Sequence, residues 1–587
     1  MLRSFGILSP TLGIREDFPS ILLKDAYLPD YLGDIKNIIF RDGEIHRAKM
    51  RSKEFTQVLP DRVLHYDYYK QKVAANWWLI LCTKRDIAYR DAAGGADRLV
   101  YITPKETGTA SFVNGDETVT AAGGGDFSAL KAGDFISIGD TYSTTDKWYE
   151  IASIAGGDAT LELTGKYAEA NTGDVPYEAR VTYAGTDLAY WESITFNNKW
   201  IATNGVDVFQ VWEGADQCAV LAGNPPIAKH IFVYENHIIA GNIVTGPEPY
   251  TWEWCSLGAE TNWTTGDSGS DQIDGYYPIS KFAELQGFLI IITENTLEKA
   301  WHIGGDLVFN KRRITDEVGT RAPNSVLKTK EAIYFYSPDN TFRKFTGLSW
   351  PSISKPVDRF VKNIHPEYEF YIQSVFSEEY NLILWAVPDS ASTGRNTKVL
   401  IYDLNTLSAP WSIKHMEVCC FGAYEVEAQL DWDSLPGDTW VDWAWEIWES
   451  REGFEKAPHE LCSDYSGYTY RLFAAETDDD ADYTGEFVLA TDLSKNKKLI
   501  PYYKRLTKAT AVFRNEAVGT VAVYGKRDYE TSWQLLGSIS LVGTQDFLFL
   551  DLFFDLRAKN FLLKFSAENR FRFLGIIFPE FDLQGLR

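Results

Sequence analysis

The chain has 587 residues and a formal net charge of −25, because 82 Asp and Glu residues outnumber 57 Lys and Arg. This length exceeds what one hydrophobic core supports, so about two to four structural units are expected. An aromatic content of 14% with 24% charged residues excludes a disordered chain and favours a β-rich globular one. The acidic balance excludes binding of nucleic acid by charge.

The most regular feature of the sequence is a succession of short apolar runs paired around turn residues. In chain order these runs are residues 77–82 and 87–90, 200–203 and 208–212, 237–240, 288–293 and 297–301, 332–336 and 342–345, and 382–387 and 399–402. From residue 200 onward they recur roughly every 40 to 50 residues, the length of one four-stranded propeller blade. The pattern predicts an all-β fold with a β-propeller over residues 184–475, preceded by an N-terminal arm and the first propeller strands in residues 1–92. Unrelated hairpins in a β-sandwich are the alternative.

Residues 93–183 interrupt this rhythm with a stretch rich in Gly, Thr, Ala and Asp. Alternating patterns at residues 117–120, 134–138, 149–154 and 160–164 indicate short strands. We therefore predict a small β-barrel or β-sandwich module inserted into the propeller.

Residues 429–456 form a second insert, in which Trp440, Trp443, Trp445 and Trp448 stand among acidic residues. Exposed aromatic side chains on an insertion are typical anchors for a partner protein. These four tryptophans are predicted to form an interface with another copy of the chain or with a neighbouring protein. The alternative is that they pack back onto their own propeller.

Residues 476–587 begin with an acidic turn at 478–482 and continue with strand patterns at 510–514, 520–524, 547–553 and 560–565. They predict a C-terminal β-sandwich-like module that closes or flanks the propeller. The spacing of the acidic turn fits no EF-hand loop, so a solvated turn is preferred over a calcium site.

Residues 276–413 contain a succession of distinctive segments: residues 285–301 (LQGFLIIITENTLEKAW), the basic residues 311–313 followed by Gly319, residues 332–338 (AIYFYSP), 380–385 (YNLILW) and 398–403 (KVLIYD), and Pro410 with Trp411. In their order and spacing these segments resemble the propeller of the tail-nozzle, or packaged-DNA-stabilisation, family of short-tailed bacteriophages (podoviruses). Residues 37–47 (NIIFRDGEIHR) are similar to the strand-turn-strand that opens many phage tail propellers, and residues 431–437 (DWDSLPG) are similar to insertions in such propellers.

The resemblance implies a structural subunit of a phage tail that is not an enzyme, is assembled in the host cytoplasm and resides in the virion. It implies a ring of roughly six copies that retains packaged DNA and conducts it at ejection. Its partners would be the adaptor and the tail fibre or spike proteins, and DNA would pass through the lumen without specific binding. An acidic lumen would let DNA slide, although acidity also serves the solubility of a large protein.

The sequence carries no pattern of catalytic, cofactor-binding or metal-binding residues. Its eight His residues form no zinc-ligand spacing, and it has no nucleophile elbow or phosphate-binding loop. The six Cys residues show no disulfide framework and are expected to be reduced and mostly buried. Neither a secretory signal nor a membrane span is expected, because no apolar run approaches the ~20 residues that a span requires.

Two other functions are open at the level of sequence. A tail propeller that binds or cleaves carbohydrate would need a cleft with convergent carboxylates and aromatic platforms, and the distance between two carboxylates decides its mechanism. A cellular propeller scaffold is disfavoured because the WD-repeat signature is absent.

Overall fold

A computed structural model of the chain describes residues 2–3, 7–8, 34–41, 44–71, 77–91, 98–138, 147–155, 157–305, 307–391, 394–405, 411–425, 458–491, 503–516, 518–527, 530–558, 561–577 and 581–584. Short antiparallel strands dominate these residues. The one α-helix among them, α1 (Asp358–Val361), has four residues, and three 3₁₀ turns cover Pro323–Ser325, Lys355–Val357 and Pro366–Tyr371. No helix in this part of the chain is long and apolar enough to cross a membrane.

The strands follow one another with little intervening structure. The first ten are β1 (Leu2–Arg3), β2 (Ile7–Leu8), β3 (Asp34–Lys36), β4 (Ile38–Arg41), β5 (Glu44–Arg47), β6 (Met50–Lys53), β7 (His65–Lys70), β8 (Trp77–Cys82), β9 (Ile87–Asp91) and β10 (Arg98–Tyr101). The next six are β11 (Lys105–Phe112), β12 (Thr118–Ala121), β13 (Phe135–Ser137), β14 (Tyr149–Ala155), β15 (Thr160–Leu163) and β16 (Val175–Arg180).

The middle of the chain contributes β17 (Glu192–Phe196), β18 (Lys199–Thr203), β19 (Gln210–Trp212), β20 (Ala219–Val220), β21 (Ala228–Tyr234), β22 (His237–Ile243), β23 (Glu248–Trp254), β24 (Gly269–Gln272), β25 (Ile279–Leu285), β26 (Phe288–Thr293), β27 (Leu297–His302) and β28 (Phe309–Thr315). It continues with β29 (Leu327–Lys328), β30 (Ile333–Ser337), β31 (Thr341–Phe345), β32 (Gln373–Ser377), β33 (Leu382–Val387), β34 (Lys398–Asp403), β35 (Trp411–His415), β36 (Cys420–Tyr424), β37 (His459–Ser463) and β38 (Thr469–Ala475). The last eight are β39 (Gly485–Thr491), β40 (Tyr503–Arg514), β41 (Thr520–Arg527), β42 (Gln534–Ser540), β43 (Phe547–Ala558), β44 (Phe561–Ala567), β45 (Arg572–Ile577) and β46 (Phe581–Gln584).

The chain divides into two compact units, both built from separate stretches of sequence. Unit 1 consists of residues 1–54, 322–418 and 470–587, and unit 2 of residues 55–321 and 419–469. The domain boundaries drawn from the sequence stay predictions.

Unit 2 contains four four-stranded antiparallel sheets, each made of strands consecutive in the chain: β7 to β10, β17 to β20, β21 to β24 and β25 to β28. The first two strands of three of these sheets are joined by tight turns of two residues with positive φ, at Asn197 and Asn198, Glu235 and Asn236, and Gln286 and Gly287. Such turns match the twist of a hairpin. Consecutive four-stranded meanders of this kind are propeller blades.

A closed six-stranded barrel, in the order β11-β12-β15-β14-β13-β16, is inserted after the first of these sheets. The sequence patterns identified its four middle strands but not the long pair β11 and β16. In that pair Gly108 lies under the ring of Tyr177, where a Cβ would be 2.7 Å from the ring. The small residues of β11 are therefore packing requirements of the barrel, which a search for apolar alternation does not detect.

Unit 1 contains a three-stranded sheet (β29 to β31), a four-stranded sheet (β32 to β35), and two sheets formed largely by the C-terminal residues. The latter two have the orders β1-β46-β40-β45-β5-β4, with β2 and β43 on its flanks, and β3-β39-β44-β41-β42. Their facing sides pack through Phe487, Phe513, Phe565 and Phe573, with ring centroids 4.9–6.3 Å apart. This pairing of two sheets around an aromatic core is sandwich-like.

The all-β fold with propeller sheets, an inserted barrel and a C-terminal sandwich-like module is thus confirmed. The two strands of the segment at residues 37–47 are β4 and β5, which pair with each other. Strand β5 pairs with β45, with His46 opposite Arg572 and Ile45 opposite Phe573, so this hairpin belongs to the C-terminal sheet.

Candidate functional site

The first strands of the four-stranded sheets in unit 2 lie next to one another. Strand β17 contacts both β7 and β21, and β21 contacts β25. In a propeller the first strand of each blade is the one nearest the axis. Polar side chains at the start of these strands meet in one group, which we call the inner-strand cluster: His65, Asp67, Glu192, Ser193, His230 and Lys281.

Glu192 is the centre of one half of the cluster. Its carboxylate lies 2.6 Å from Lys281 Nζ and 2.8 Å from His230 Nδ1, and it accepts a hydrogen bond from the backbone N–H of Ile231 at 3.3 Å. Burial opposes ionisation of this carboxyl group, but the nearby Lys281 and His230 outweigh it and lower the pKa of Glu192 to about 2. The side chain is therefore ionised at neutral pH and ties β17 to β21 and β25.

Ser193 is the centre of the other half. Its Oγ lies 2.5 Å from Asp67 Oδ2 and 2.8 Å from His65 Nε2, and the indole N–H of Trp200 donates to the same Asp67 oxygen at 2.8 Å. Burial, reinforced by the charge on Lys281, lowers the pKa of His65 and keeps it neutral at pH 7.

The hydrogen bonds of this trio do not match the pattern of a nucleophilic serine. A serine hydroxyl has one proton, and in the short contact Ser193 donates that proton in a hydrogen bond to Asp67. His65 must then donate to Ser193, whereas a nucleophilic serine needs a histidine that accepts its proton. The trio therefore links β7 to β17 without activating the hydroxyl.

Glycoside hydrolysis is also a poor match to the inner-strand cluster. That reaction needs one carboxylic acid with a raised pKa facing a second carboxylate, and the pKa of Glu192 is lowered. Carboxyl groups whose pKa is raised, first of all by burial, lie elsewhere in the chain: Asp86, Asp134, Glu253, Glu298 and Asp403. Two of these, Asp86 and Glu298, form ion pairs with arginines.

A groove of about 880 Å³ lies beside Trp254 in unit 2, between residues 266–271 on one side and residues 305 and 307–311 on the other. Its walls combine Asp271 and Lys311, which form an ion pair at 2.8 Å, with Leu307, which is 71% exposed at the rim. Trp254 itself is only 7% exposed and packs edge-on against Phe309 at 5.1 Å. The tryptophan therefore supports the wall and offers no open ring face for stacking.

The residues singled out in the sequence have mixed outcomes. The four tryptophans of the 429–456 insert lie outside the described residues. All six cysteines are free and buried, as expected. In the described part of the chain no group of three or more His, Cys, Asp or Glu residues could hold a metal ion. The inner-strand cluster was not anticipated, because its members lie on strands with mixed polar and apolar residues that pattern analysis did not identify.

No family model and no curated protein sequence matches the chain. Among solved structures it is similar to the WD40 domain of Neurospora crassa Pan2, at 10% identity over 63% of this chain and 89% of that one, with a TM-score of 0.27. It is also similar to the exo-β-1,3-galactanase of Phanerochaete chrysosporium bound to galactose (8%, 63% and 99%, TM-score 0.22) and to the phage phi92 endosialidase (12%, 80% and 68%, TM-score 0.15). At these TM-scores the similarities carry no argument about function.

Proposed function

We propose that the chain is a non-catalytic structural subunit of a short-tailed phage tail that associates with copies of itself around a channel for DNA. The resemblance of residues 276–413 to tail-nozzle propellers supports the identity of the assembly. The inner-strand cluster supports the absence of catalysis, because its charged groups are paired with each other and its serine is not activated.

The observation that carries the proposal is an exposed aromatic face on β43. This strand pairs only with β40 among the described strands of its sheet, and Phe547, Phe549 and Phe553 on its outer side are 41%, 63% and 72% exposed. Exposed aromatic residues grouped in this way mark interaction sites on soluble proteins.

The charges around this face favour a second copy of the chain as its occupant. Arg514 and Lys508 lie over Phe547 and Phe553, with 5.1 and 5.4 Å to the ring centroids. Asp551 lies between them on the same side of the strand and pairs with Lys508 at 2.6 Å. A face with aromatic groups and both signs of charge suits a head-to-tail contact with a different face of the next copy, the kind of contact that closes a ring.

The test is the oligomeric state of the purified chain, measured by mass photometry and cryo-electron microscopy. The proposal predicts a closed ring of roughly six subunits, and predicts that Phe549→Ser with Phe553→Ser shifts the population towards monomers. A matched control is Leu348→Ser, because Leu348 is 91% exposed but lies outside this face. A monomer at all concentrations in the unsubstituted chain, or equal dissociation by the control, contradicts the proposal.

Carbohydrate binding without cleavage is a second candidate function. The groove beside Trp254 favours it, because carboxylate, ammonium and hydroxyl groups line a cavity of a size typical of small-ligand sites. Its test is incubation with a surface polysaccharide of the host, followed by separate measurements of binding and of new reducing ends. Release of reducing ends by the pure chain would show an enzyme and overturn the assignment as non-catalytic.

A further inference from the structure

A second groove, in unit 1, differs from the first in the groups it presents. It has a volume of about 810 Å³ and lies between the β29 to β31 sheet and the β32 to β35 sheet. Its walls include Lys328, Lys330 and Lys344, the carboxylates Glu331 and Glu378, and the tyrosines Tyr334 and Tyr402.

The two tyrosines are buried but reach the groove. Tyr334 is 2% exposed and Tyr402 is 9% exposed, and their ring centroids are 6.2 Å apart. Neither hydroxyl has a hydrogen-bond partner among the described residues, and both residues line the groove. Burial raises the pKa of each to about 12, so both hydroxyls keep their protons at neutral pH. Because both residues line the groove, each hydroxyl can donate a hydrogen bond to a ligand bound there.

The three lysines are also available. Within the described part of the chain none of them lies within 4 Å of a carboxylate, and Lys344 Nζ is 5.7 Å from the centroid of the Tyr334 ring. Three unpaired cations around one groove stand out in a chain with a net charge of −25. Their attraction acts over about 8 Å at physiological salt, so they act on a ligand inside the groove more than on a distant one.

The two sets of groups together define the chemistry of the ligand. Ammonium and tyrosine hydroxyl groups donate hydrogen bonds, which suits an oxyanion. Glu331 and Glu378 accept hydrogen bonds, which suits a hydroxyl. A DNA backbone supplies oxyanions but no hydroxyl groups, so the glutamates would repel it. A saccharide with carboxylate or phosphate substituents supplies both.

We propose that this groove binds a segment of an acidic polysaccharide, with the lysines and tyrosine hydroxyls on its anionic groups and the glutamates on its sugar hydroxyls. The proposal deepens the second candidate function, carbohydrate binding, and is independent of the tail role.

The experiment is isothermal titration calorimetry of the full chain with a tetramer of galacturonic acid. The matched ligand is its fully methyl-esterified form, which has the same sugars and no negative charge. We expect the acid to bind at least tenfold more tightly than the ester. The affinity for the acid should also fall as salt is raised from 50 to 500 mM, because the Debye length drops from above roughly 10 Å to below roughly 5 Å and ionic contacts are screened.

Two variants assign that binding to the groove. The double variant Tyr334→Phe with Tyr402→Phe removes both hydroxyls but keeps the packing of the rings. It should lower the affinity for the acid tetramer at least tenfold, while the protein unfolds at the same or a higher temperature. Lys344→Gln should also weaken binding. Lys166→Gln, an exposed lysine on the barrel, is the control and should leave affinity unchanged.

The possible outcomes separate the proposals. Binding of the acid that neither groove variant weakens overturns the groove as its site and leaves carbohydrate binding standing. Equal binding of acid and ester overturns the requirement for an anion. Equal affinity for inorganic phosphate would show that the groove is a small-anion site. Tighter binding of an oligonucleotide would show that it is a nucleic-acid site. Either result overturns the proposal that the ligand is an acidic polysaccharide. Absence of binding to both saccharides overturns this proposal, while the ring test of the tail role is unaffected.

Discussion

The ion pair between Asp86 and Arg180 allows the sharpest test of the packing in unit 2. Both side chains are 1% exposed, and Arg180 Nη1 lies 2.8 Å from Asp86 Oδ2. The guanidinium also lies over the rings of Tyr101 and Trp148, at 3.9 and 4.5 Å from their centroids. Arg180 ends β16 of the barrel and Asp86 precedes β9, so the pair links the barrel to the first propeller sheet.

Replacing Asp86 with Asn keeps the shape of the side chain but leaves a buried arginine without a counterion. Arginine does not lose its proton in proteins, so the full cost of an unpaired buried charge applies, about 3–5 kcal/mol. Hydrogen–deuterium exchange of the barrel strands β11 and β16 should therefore be faster by a factor of roughly 10² to 10⁴.

Replacing Arg180 with Met should behave differently with pH. Burial already raises the pKa of Asp86 above its ordinary value, so the folded variant takes up a proton more readily than the unfolded chain. Its stability is therefore gained as pH falls through the raised pKa and is lost as pH rises. The Asp86→Asn variant has no such carboxyl group and should stay destabilised at every pH.

The double variant Asp86→Asn with Arg180→Met closes the thermodynamic cycle. It carries no buried charge at this position, so it should be more stable than the sum of the two single changes by at least about 1 kcal/mol. If exchange in Asp86→Asn equals that of the unsubstituted chain, or if the two losses simply add, the reasoning that the pair is a mutually dependent buried contact is refuted.

Three further outcomes are expected. Glu192 has a pKa of about 2, below its unfolded value of about 4.5, so it stabilises the fold above that value and the contribution is lost as pH falls towards 2; Glu192→Gln should remove this pH dependence, on the order of 3 kcal/mol in urea unfolding. Gly108→Ala places a Cβ 2.7 Å from the Tyr177 ring and should lower the thermal stability of the barrel by about 1–3 kcal/mol, whereas Gly165→Ala, with no neighbour within 4 Å, should change it little; equal effects would contradict the packing account. The purified chain should not shift duplex DNA in a gel at physiological salt, since its net charge is −25, and a shift with a steep salt dependence would show a basic surface that the composition conceals.

The sequence predicted features that depend on neighbouring residues. The run at 382–387 is apolar throughout because all six residues of β33 are buried. It can therefore be predicted as a strand without knowing which strands it pairs with. The same is true of the hairpin turn before β31, where Asn340 has a φ of 57°. Patterns of this kind identified the all-β class, the propeller sheets and the presence of an inserted β module.

The inner-strand cluster could not be predicted in the same way. Glu192, His230 and Lys281 lie on three different strands, and in the sequence each is an ordinary polar residue near the start of a strand. Their meeting depends on which strands become neighbours. The tyrosine hydroxyls at the second groove could not be predicted either, because Tyr334 and Tyr402 lie within continuous apolar runs that indicate only buried strands.

What the sequence alone determined was local: strand periodicity, turn positions, the acidic balance and the burial of the cysteines. The tertiary structure decided which distant segments pair, as in the hairpin at 38–47 that joins β45 at the other end of the chain. It also decided which charged side chains are buried away from water and therefore need an ion-pair partner, as Asp86 and Arg180 do. The physical reason is that alternation and turn preferences act over a few residues, whereas strand pairing and desolvation depend on contacts that form only when the whole chain is folded.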